Sequence, residues 1–294
     1  MSENQNDQSA LAWILLIVLA LIWGSSFILI KKGLLVFGPG EVGALRIVAA
    51  GLFLLPFSIP QFKKVSKKYW ILLLVVGLCG SFIPAFLFAK AQTRLDSSIT
   101  GVLNGLTPLF TLLIGFFFYR QPIRFLNWLG IMVGFLGMLW LALNGEDGIG
   151  QINFYVFFVI VATILYGTNV NLIKFQIQEL PSLLITSVSL TLVLPLGLAY
   201  LLGGTEFLHK MSHAEGAGLA LFYIALLGVM GTAIALILFN KLVKISSPIF
   251  SSSVTYLIPI VAIAWGLIDG EKLLWSDFIG IAAIICGVYF ASKK

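Results

Sequence analysis

Small polar side chains interrupt several long apolar runs of this sequence, where hydrogen-bonding groups are costly unless they find partners. One group lies around Trp23, Ser26 and Phe27, and a related group lies much later around Tyr166 and Asn169. Such side chains stack on planar groups and exchange hydrogen bonds, so they predict binding of a small solute. Two interruptions in matching places of two halves are typical of a substrate pathway through a membrane.

A second pair of polar groups lies in the fourth and ninth apolar runs. Hydroxyl and amide residues recur there at steps of three and four positions, which places them on one helix face. Such residues serve either as contacts between packed helices or as the lining of a pathway, and their pairing favours the pathway. Proline in the same runs removes a backbone donor and favours a kink. The residues are Asn104, Thr107, Thr255 and Tyr256, with helix kinks predicted at Pro108 and Pro259.

Charged and amide side chains inside these runs need partners or water. Arg46 lies within the second run, either as a ligand for an anionic solute group or as half of a structural pair with a neighbouring helix. Asn169 and Asn171 in the sixth run predict either a water-filled cavity or hydrogen bonds between helices. Lys31 and Lys174 lie at helix ends, and we interpret them as interface anchors.

Common catalytic and metal-binding patterns are missing from the sequence. There is no P-loop, no Gly-x-Ser-x-Gly and no His-Glu-x-x-His, so we predict that the protein is not an enzyme and uses no cofactor. His209 and His213 supply too few ligands for a metal site, and no metal is expected. No acid lies deep in an apolar run, and we interpret Asp269, Glu271 and Asp277 as solvated or interfacial.

The overall composition is that of a membrane protein. Of 294 residues, 60% are hydrophobic and 10% are charged, and the mean hydropathy is +1.05. A soluble domain carries about 25% charged residues, so this chain lacks the polar surface that a soluble protein needs. We expect the lipid bilayer and a small-molecule substrate as partners and no nucleic acid, and the oligomeric state stays open.

Ten apolar runs approach or reach the length that a helix needs to cross a hydrocarbon core of about 30 Å. They are continuous rather than alternating, which favours helices over membrane strands. The connections between them are short and leave no room for an extramembrane domain. The predicted spans are residues 11–30, 41–60, 70–90, 97–119, 125–143, 152–174, 181–203, 216–240, 247–268 and 275–292.

The chain divides into a tail, a repeat, a linker and a second repeat. The tail covers residues 1–10, the first five-helix repeat 11–143, the outer linker 144–151 and the second repeat 152–292. When the N-terminus is placed inside, the inner segments carry eleven lysines and arginines and the outer ends carry six. This excess predicts that both termini lie in the cytoplasm.

An internal repeat relates the two halves. Trp23 matches Tyr166 at a displacement of 143 positions, and Pro108 matches Pro259 at a displacement of 151. Each half has five spans, an odd number, so the second half enters the membrane from the opposite face. The sequence therefore predicts an all-α integral membrane protein of ten transmembrane helices, arranged as two inverted five-helix repeats.

The Trp-Gly-Ser-Ser-Phe group of the first helix, together with these repeats, resembles the EamA family of the drug/metabolite transporter superfamily. The resemblance covers nearly the whole chain, near residues 13–143 and 154–292. In that family a glutamate often follows the fourth helix, whereas Arg120 and Gln121 stand there in this sequence. The matching positions are Trp23, Gly24, Ser25, Phe27, Lys31, Arg46, Pro108, Gly130, Gly137, Pro259, Glu271, Gly280 and Gly287.

The resemblance implies a carrier, in most cases an exporter of small metabolites such as amino acids, or of drugs. It implies alternating access to a central cavity lined by helices one, three, four, six, eight and nine. A plasma membrane location follows, which in a bacterium is the inner membrane. The expected substrate pathway consists of Trp23, Ser26, Phe27, Arg46, Asn104, Thr107, Tyr166, Asn169, Thr255 and Tyr256.

Two alternatives to this function stay open. A carrier of anionic phosphorylated compounds, such as nucleotide sugars, would use Arg46, Lys31 and Lys174 as ligands. A non-transporting structural or regulatory membrane protein would give no substrate-dependent flux or stabilisation.

Overall fold

The computed structural model describes residues 2–145, 148–149, 153–245 and 254–291. Within them the chain is helical, apart from a hairpin in which Asn144–Gly145 pairs antiparallel with Gly148–Ile149. Seven helices among these residues are long and apolar enough to cross a membrane, and three shorter apolar helices accompany them. Each of the ten apolar runs of the sequence contains a helical segment.

The first half of the chain starts in a helix at Ser2, ahead of the predicted span start at residue 11. A short 3₁₀ turn, Lys67–Tyr69, precedes the third apolar run. The helices are α1 (Ser2–Leu34), α2 (Pro39–Phe62), α3 (Trp70–Gly77), α4 (Ile83–Ala91), α5 (Ser97–Asn104), α6 (Thr107–Tyr119) and α7 (Phe125–Leu143), with a π-helical segment π1 (Leu78–Phe82) between α3 and α4.

The second half adds one helix that the sequence did not predict, the short α10 in the connection after α9. The start of the predicted ninth span, residues 247–253, lies outside the described residues. The helices are α8 (Val156–Gln176), α9 (Ser182–Gly203), α10 (Phe207–His213), α11 (Ala217–Leu226), α12 (Ala235–Ile245), α13 (Val254–Ile268) and α14 (Trp275–Ala291), with a π-helical segment π2 (Leu227–Ile234) between α11 and α12.

The two π-helical segments occupy corresponding places in the two halves. Gly80 in π1 and Gly231 in π2 are 151 positions apart, the displacement that also relates Pro108 to Pro259. A π segment widens the helix locally and often lies at a functional site. Both segments pack near polar residues of the candidate pathway, as described below.

The predicted fourth span consists of two helices rather than one. Helix α5 ends at Asn104 and α6 begins at Thr107, and Gly105 donates to the Val102 carbonyl in the turn between them. Pro108 lies in the first turn of α6, where its missing N–H leaves no hydrogen bond unmade. By contrast, α13 continues through Pro259.

Glycines allow close approach where the helices of the two halves cross. A side chain at Gly130 in α7 would collide with the backbone of Gly287 and Ala291 in α14. Gly167 in α8 lies equally close to α6, where an added Cβ would stand 2.8 Å from the Thr111 nitrogen. Close backbone contact of this kind is how membrane helices associate without a hydrophobic driving force between them.

The bundle has two ends, which we name after one residue at each. The Glu271 end holds the C-terminus of α1, the N-terminus of α5 and the α13–α14 connection, which are joined by ion pairs. The Tyr69 end holds the start of α3 and the α8–α9 connection, where Tyr69 donates to Glu179. Large apolar side chains cover the outside between the ends, including Phe125 and Trp275, which are 84% and 88% exposed.

Candidate substrate pathway

Aromatic rings from three helices form a continuous row inside the bundle. The Phe27 ring of α1 meets the Phe88 ring of α4 edge-on at 5.8 Å, and Phe88 stacks on Tyr166 of α8 at 5.9 Å. Trp23, one turn from Phe27 on α1, donates through its indole Nε1 to the Gly231 carbonyl at 3.0 Å. This acceptor lies in π2, so the row ends at the π-helical segment.

Arg46 of α2 extends this row with a positive charge. Its Nε donates to the Thr232 hydroxyl in π2 at 2.9 Å, and the Tyr166 hydroxyl lies beside its guanidinium. Among the described residues, no carboxylate lies within 4.0 Å of the Arg46 guanidinium. The structure therefore joins Arg46 to hydroxyl groups of two other helices and not to a counter-charge. We call the set Trp23, Phe27, Arg46, Phe88, Tyr166 and Thr232 the central cluster.

Ser26 and Asn169 face the two π-helical segments from equivalent places. Ser26 donates to the Ile22 carbonyl of its own helix, and a Cβ at Gly231 would lie 2.9 Å from its Oγ. A Cβ at Gly80 would lie 2.6 Å from the Asn169 amide nitrogen. The buried Asn169 Oδ1 has no hydrogen-bond partner in the described part of the chain, so it offers a free acceptor beside π1.

Asn171, the second asparagine of the sixth span, is a structural residue. Its Nδ2 donates at 2.9 Å to the Thr111 carbonyl of α6 and at 2.9 Å to the Gly167 carbonyl of its own helix. It is 3% exposed. Of the two predicted uses for this asparagine, the structure thus shows the hydrogen bond between helices.

The polar residues of the fourth span lie at the break between α5 and α6. Thr107 donates to the Asn104 carbonyl at 2.8 Å, and the buried Asn104 Oδ1 lacks a partner among the described residues. Thr255 of α13 lines a small cavity with Gly105 and with residues of α14 such as Ile284. The Tyr256 side chain lies outside the described residues.

Glu271 is buried and ion-paired and Asp277 is 7% exposed, so the solvated setting expected for these two acids was wrong. The Glu271 side chain is 1% exposed, and its Oε1 lies 2.8 Å from Lys31 Nζ. The backbone nitrogens of Ser97 and Ser98 donate to its two oxygens at 2.9 and 3.0 Å, and both serine hydroxyls donate as well. The carboxylate thus caps the N-terminus of α5, where negative charge is stabilised.

Asp269 completes this group, which we call the Glu271 cluster. Asp269 pairs with Lys31 at 2.8 Å and also with Lys32. Lys31 is therefore an ion-pair residue between α1 and the α13–α14 connection, while its role as an interface anchor stays a prediction. The cluster consists of Lys31, Lys32, Ser97, Ser98, Asp269 and Glu271.

The surroundings of Glu271 favour its charged form. Burial alone raises a carboxyl pKa, but hydrogen bonds from Lys31, Ser97 and Ser98 outweigh burial and lower the pKa of Glu271 from 4.5 to about 2. Hydrogen bonds from Lys31 and Lys32 likewise lower the pKa of Asp269. Both acids are therefore ionised at neutral pH in this structure.

Further contacts close the Glu271 end. Lys210 of α10 pairs with Glu41 at the start of α2 at 2.7 Å, and the Glu41 side chain is 4% exposed. The Phe37 and Phe207 rings lie 5.7 Å apart beside this pair. At the Tyr69 end the corresponding ion pair is loose and exposed, with Lys68 3.9 Å from Glu179.

Sequence reasoning missed Phe88 and Thr232 in the central cluster and Ser97 and Ser98 in the Glu271 cluster. Phe88 is one of 24 phenylalanines, and nothing in the sequence distinguishes it. Thr232 had a weak signal, because it follows Gly231 in a glycine-containing apolar run. The serine pair had a signal too, since it opens the fourth span at a position where helix caps are common.

An apolar helical bundle that encloses aromatic, hydroxyl and cationic side chains is the architecture of a membrane transporter. The model of the EamA-like transporter family matches residues 10–143 and again residues 153–293. The chain belongs to the EamA-like transporter family, as the motifs of the sequence predicted.

Relatives from distant organisms support this assignment. The chain is 26% identical over 286 residues to the uncharacterized inner membrane transporter YedA of Escherichia coli, covering 93% of this chain and 88% of YedA. It is 22% identical to an uncharacterized transporter of Archaeoglobus fulgidus, covering 96% and 99%. A solved crystal structure matches with a TM-score of 0.64 over 95% of this chain and 96% of the other, at 16% identity, which shows the fold alone.

Proposed function

We propose that the protein is a secondary-type carrier that moves small, partly apolar metabolites or drugs by alternating access. Its ten helical spans form two inverted repeats of five, and the pathway lies between them. Both termini lie in the cytoplasm because that side collects the excess of lysine and arginine. The relative named as an inner membrane transporter supports a location in that membrane, and family likeness supports export.

The observation that carries this proposal is the central cluster. Five helical segments of the bundle, α1, α2, α4, α8 and π2, contribute side chains to one interior group of rings, hydroxyls and one guanidinium. A purely structural bundle has no need of an unpaired cation and a free amide acceptor at such depth, since both are costly in a membrane. A passing solute supplies partners for both.

The Glu271 cluster supports the alternating-access part of the proposal. It ties α1, α5 and the α13–α14 connection together at one end, and Glu41 with Lys210 adds a second tie there. These contacts support a pathway between the repeats that is closed at the Glu271 end. Access from that end requires these ion pairs to separate, as rocking of the repeats would do.

The alternative as a nucleotide-sugar carrier loses one of its three predicted ligands. Lys31 neutralises Asp269 and Glu271, so it is not free to bind phosphate in this state. Lys174 lies over the Phe175 ring at 5.1 Å, at the far end of α8 from the pathway aromatics. The aromatic row instead favours solutes with an apolar or planar body.

Counterflow in proteoliposomes tests the carrier function. Liposomes that contain the purified protein are loaded with unlabelled amino acids, nucleobases or drugs, one compound at a time. Uptake of the same compound in radiolabelled form is then measured. We expect uptake of at least one solute above that of empty liposomes. We expect the Asn169→Leu variant to lose most of that uptake, because it removes the free acceptor beside π1.

The matched control is Val170→Leu, one position along on the exposed face of the same helix. It enlarges a side chain without touching the pathway and should transport normally. Unchanged counterflow of every solute in both Asn169→Leu and Asn104→Ala would show that the assigned pathway is wrong. Absence of flux for every solute of the panel would favour the alternative of a non-transporting structural or regulatory membrane protein.

A further inference from the structure

Arg46 is a cation whose neutralising group is missing from the described part of the protein. Arg46 is half-buried, between Leu45 and Ile47, which are 5% and 0% exposed. Its described partners, the Thr232 and Tyr166 hydroxyls, carry no charge. A guanidinium has five donors, and hydrogen bonds to the Thr232 and Tyr166 hydroxyls leave three of them, on the two Nη atoms, available.

Three lysines of the bundle differ from Arg46, because each of them is paired with a carboxylate. Lys31 and Lys32 each meet a carboxylate at the Glu271 end, and Lys210 meets Glu41. These lysines lie near helix ends, where water reduces the cost of charge. Arg46 lies seven residues beyond the start of α2, further from a helix end, where an uncompensated charge costs more.

The geometry points to an anionic group of the transported solute as the missing partner. The Thr232 hydroxyl holds Nε and the Tyr166 hydroxyl lies beside the guanidinium, so the remaining donors belong to the planar fork of the two Nη atoms. Such a fork matches the two oxygens of a carboxylate. Tyr166, beside the guanidinium, stacks on the buried Phe88 ring, and this aromatic pair favours a solute with an apolar or aromatic body.

We propose that Arg46 is the specificity-determining residue for organic monoanions, solutes with one carboxylate on an apolar or aromatic body. This rests on the carrier function proposed above. One cation suits one negative charge, whereas a phosphate monoester carries nearly two at neutral pH and Lys31 is already neutralised. The uncharged hydroxyls of Thr232 and Tyr166 fit the same solute, because they add hydrogen bonds without further charge.

Matched acid and amide probes test this site. Binding of 3-phenylpropanoate, 3-phenylpropanamide and phenyl phosphate to the detergent-purified protein is measured by thermal stabilisation, and counterflow of the same compounds is measured in liposomes. We expect the acid to bind about 10-fold more tightly than its amide, the scale of a charge-assisted hydrogen bond. Arg46→Gln should make acid and amide equal, and Arg46→Lys should keep part of the preference.

Binding of the acid is compared with binding of the amide in the same variant. Partial loss of folding lowers both and therefore does not imitate a loss of acid preference. Should Arg46→Gln not fold, Thr232→Val keeps the charge, removes the Nε anchor and should reduce the acid preference. Lys174→Gln is the control, a cation of α8 outside the central cluster, and should keep the full preference.

Three results would overturn the proposal: equal binding of acid and amide in the wild type, an acid preference that survives Arg46→Gln, and tighter binding of phenyl phosphate than of the acid. Each can occur in a protein that still transports other solutes, which separates failure of the anion site from failure of the carrier function. Absence of all flux would contradict the carrier function itself.

Discussion

Single residues at the Glu271 end show how a loop carboxylate becomes part of the helix packing. Glu271 reaches the first turn of α5 because Gly266 has no side chain, and a Cβ there would collide with Ser98 and with Glu271 itself. The carboxylate then accepts hydrogen bonds from backbone and hydroxyl donors at the start of α5. Without it, these donors would face a membrane interface. One residue thereby satisfies a helix terminus and neutralises Lys31.

We expect Glu271→Gln to lower the thermal unfolding midpoint at pH 7, because it leaves Lys31 short of one counter-charge. Loss of one partner of a buried ion pair costs about 3 kcal/mol. The folded pKa of Glu271, about 2, lies below its ordinary 4.5. The stabilisation is therefore complete above about pH 4.5 and disappears as the pH falls towards 2.

The measurement is a series of unfolding midpoints for wild type and variant from pH 7 to pH 3. The difference between the two should narrow over the acidic part of this range. Glu215→Gln, at an exposed position in the α10–α11 connection, is the control and should have no effect. Equal midpoints at pH 7 would contradict a stabilising role for the Glu271 cluster.

The packing of one helix against another depends on close crossings at glycine, where no further side-chain atom fits. Gly167 of α8 is such a position, because an Ala Cβ would lie 2.8 Å from the Thr111 nitrogen and 3.0 Å from the Phe110 carbonyl carbon. Backbone atoms cannot rotate away as side chains do. Gly167→Ala must therefore separate α8 from α6 and loosen the Asn171 bridge between them.

Gly167→Ala should be destabilising by about 1–3 kcal/mol, the usual cost of overpacking. Gly218→Ala in α11 is the control, since nothing lies within 4 Å of its added Cβ. It should be neutral or slightly stabilising, as alanine favours a helix more than glycine does. Chemical or thermal unfolding in detergent measures both, and equal stability of the two variants would contradict the crossing described here.

Helix positions were predictable from the sequence to a much greater extent than irregularities within helices. Long apolar runs indicate spans because the bilayer sets their length. Pro108 pointed to a disturbance of the fourth span, which the structure shows as two helices. The segments π1 and π2 were not predicted, since an extra residue in a helical turn has no characteristic composition.

The candidate site was predictable only in part, for a related reason. Arg46 and Tyr166 stand out in the sequence because they are polar groups in apolar runs. Phe88 and Thr232 do not, and they join the central cluster only through the packing of α4 and π2 against α8 and α2. Glu271 was misjudged because the α13–α14 connection folds back onto α5, which no local pattern indicates.

At the scale of the whole molecule, equivalent positions of the two halves have similar surroundings but different chemistry. Gly115 of the fourth span and Gly266 of the ninth span are 151 positions apart. Each lies close to a residue of the connection after its span, which is Gln121 in the first half and Glu271 in the second. Glu271 holds a full set of charged and hydroxyl partners. Gln121 makes a weak contact of 3.5 Å with the Tyr119 carbonyl.

The amide at Gln121, where the other half has the carboxylate of Glu271, has a kinetic consequence for the proposed transport cycle. In that cycle, opening the Glu271 end would break several charged contacts at once and opening the Tyr69 end would break few, so we expect the two half-cycles to have unequal activation barriers. We expect the slow half-cycle to be the one that opens the Glu271 end. Counterflow should then rise steeply with temperature in the wild type and less steeply in Glu271→Gln. Gln121→Glu, which places a carboxylate in the position of the first half that corresponds to Glu271, should slow the opposite half-cycle and bring the two barriers closer together.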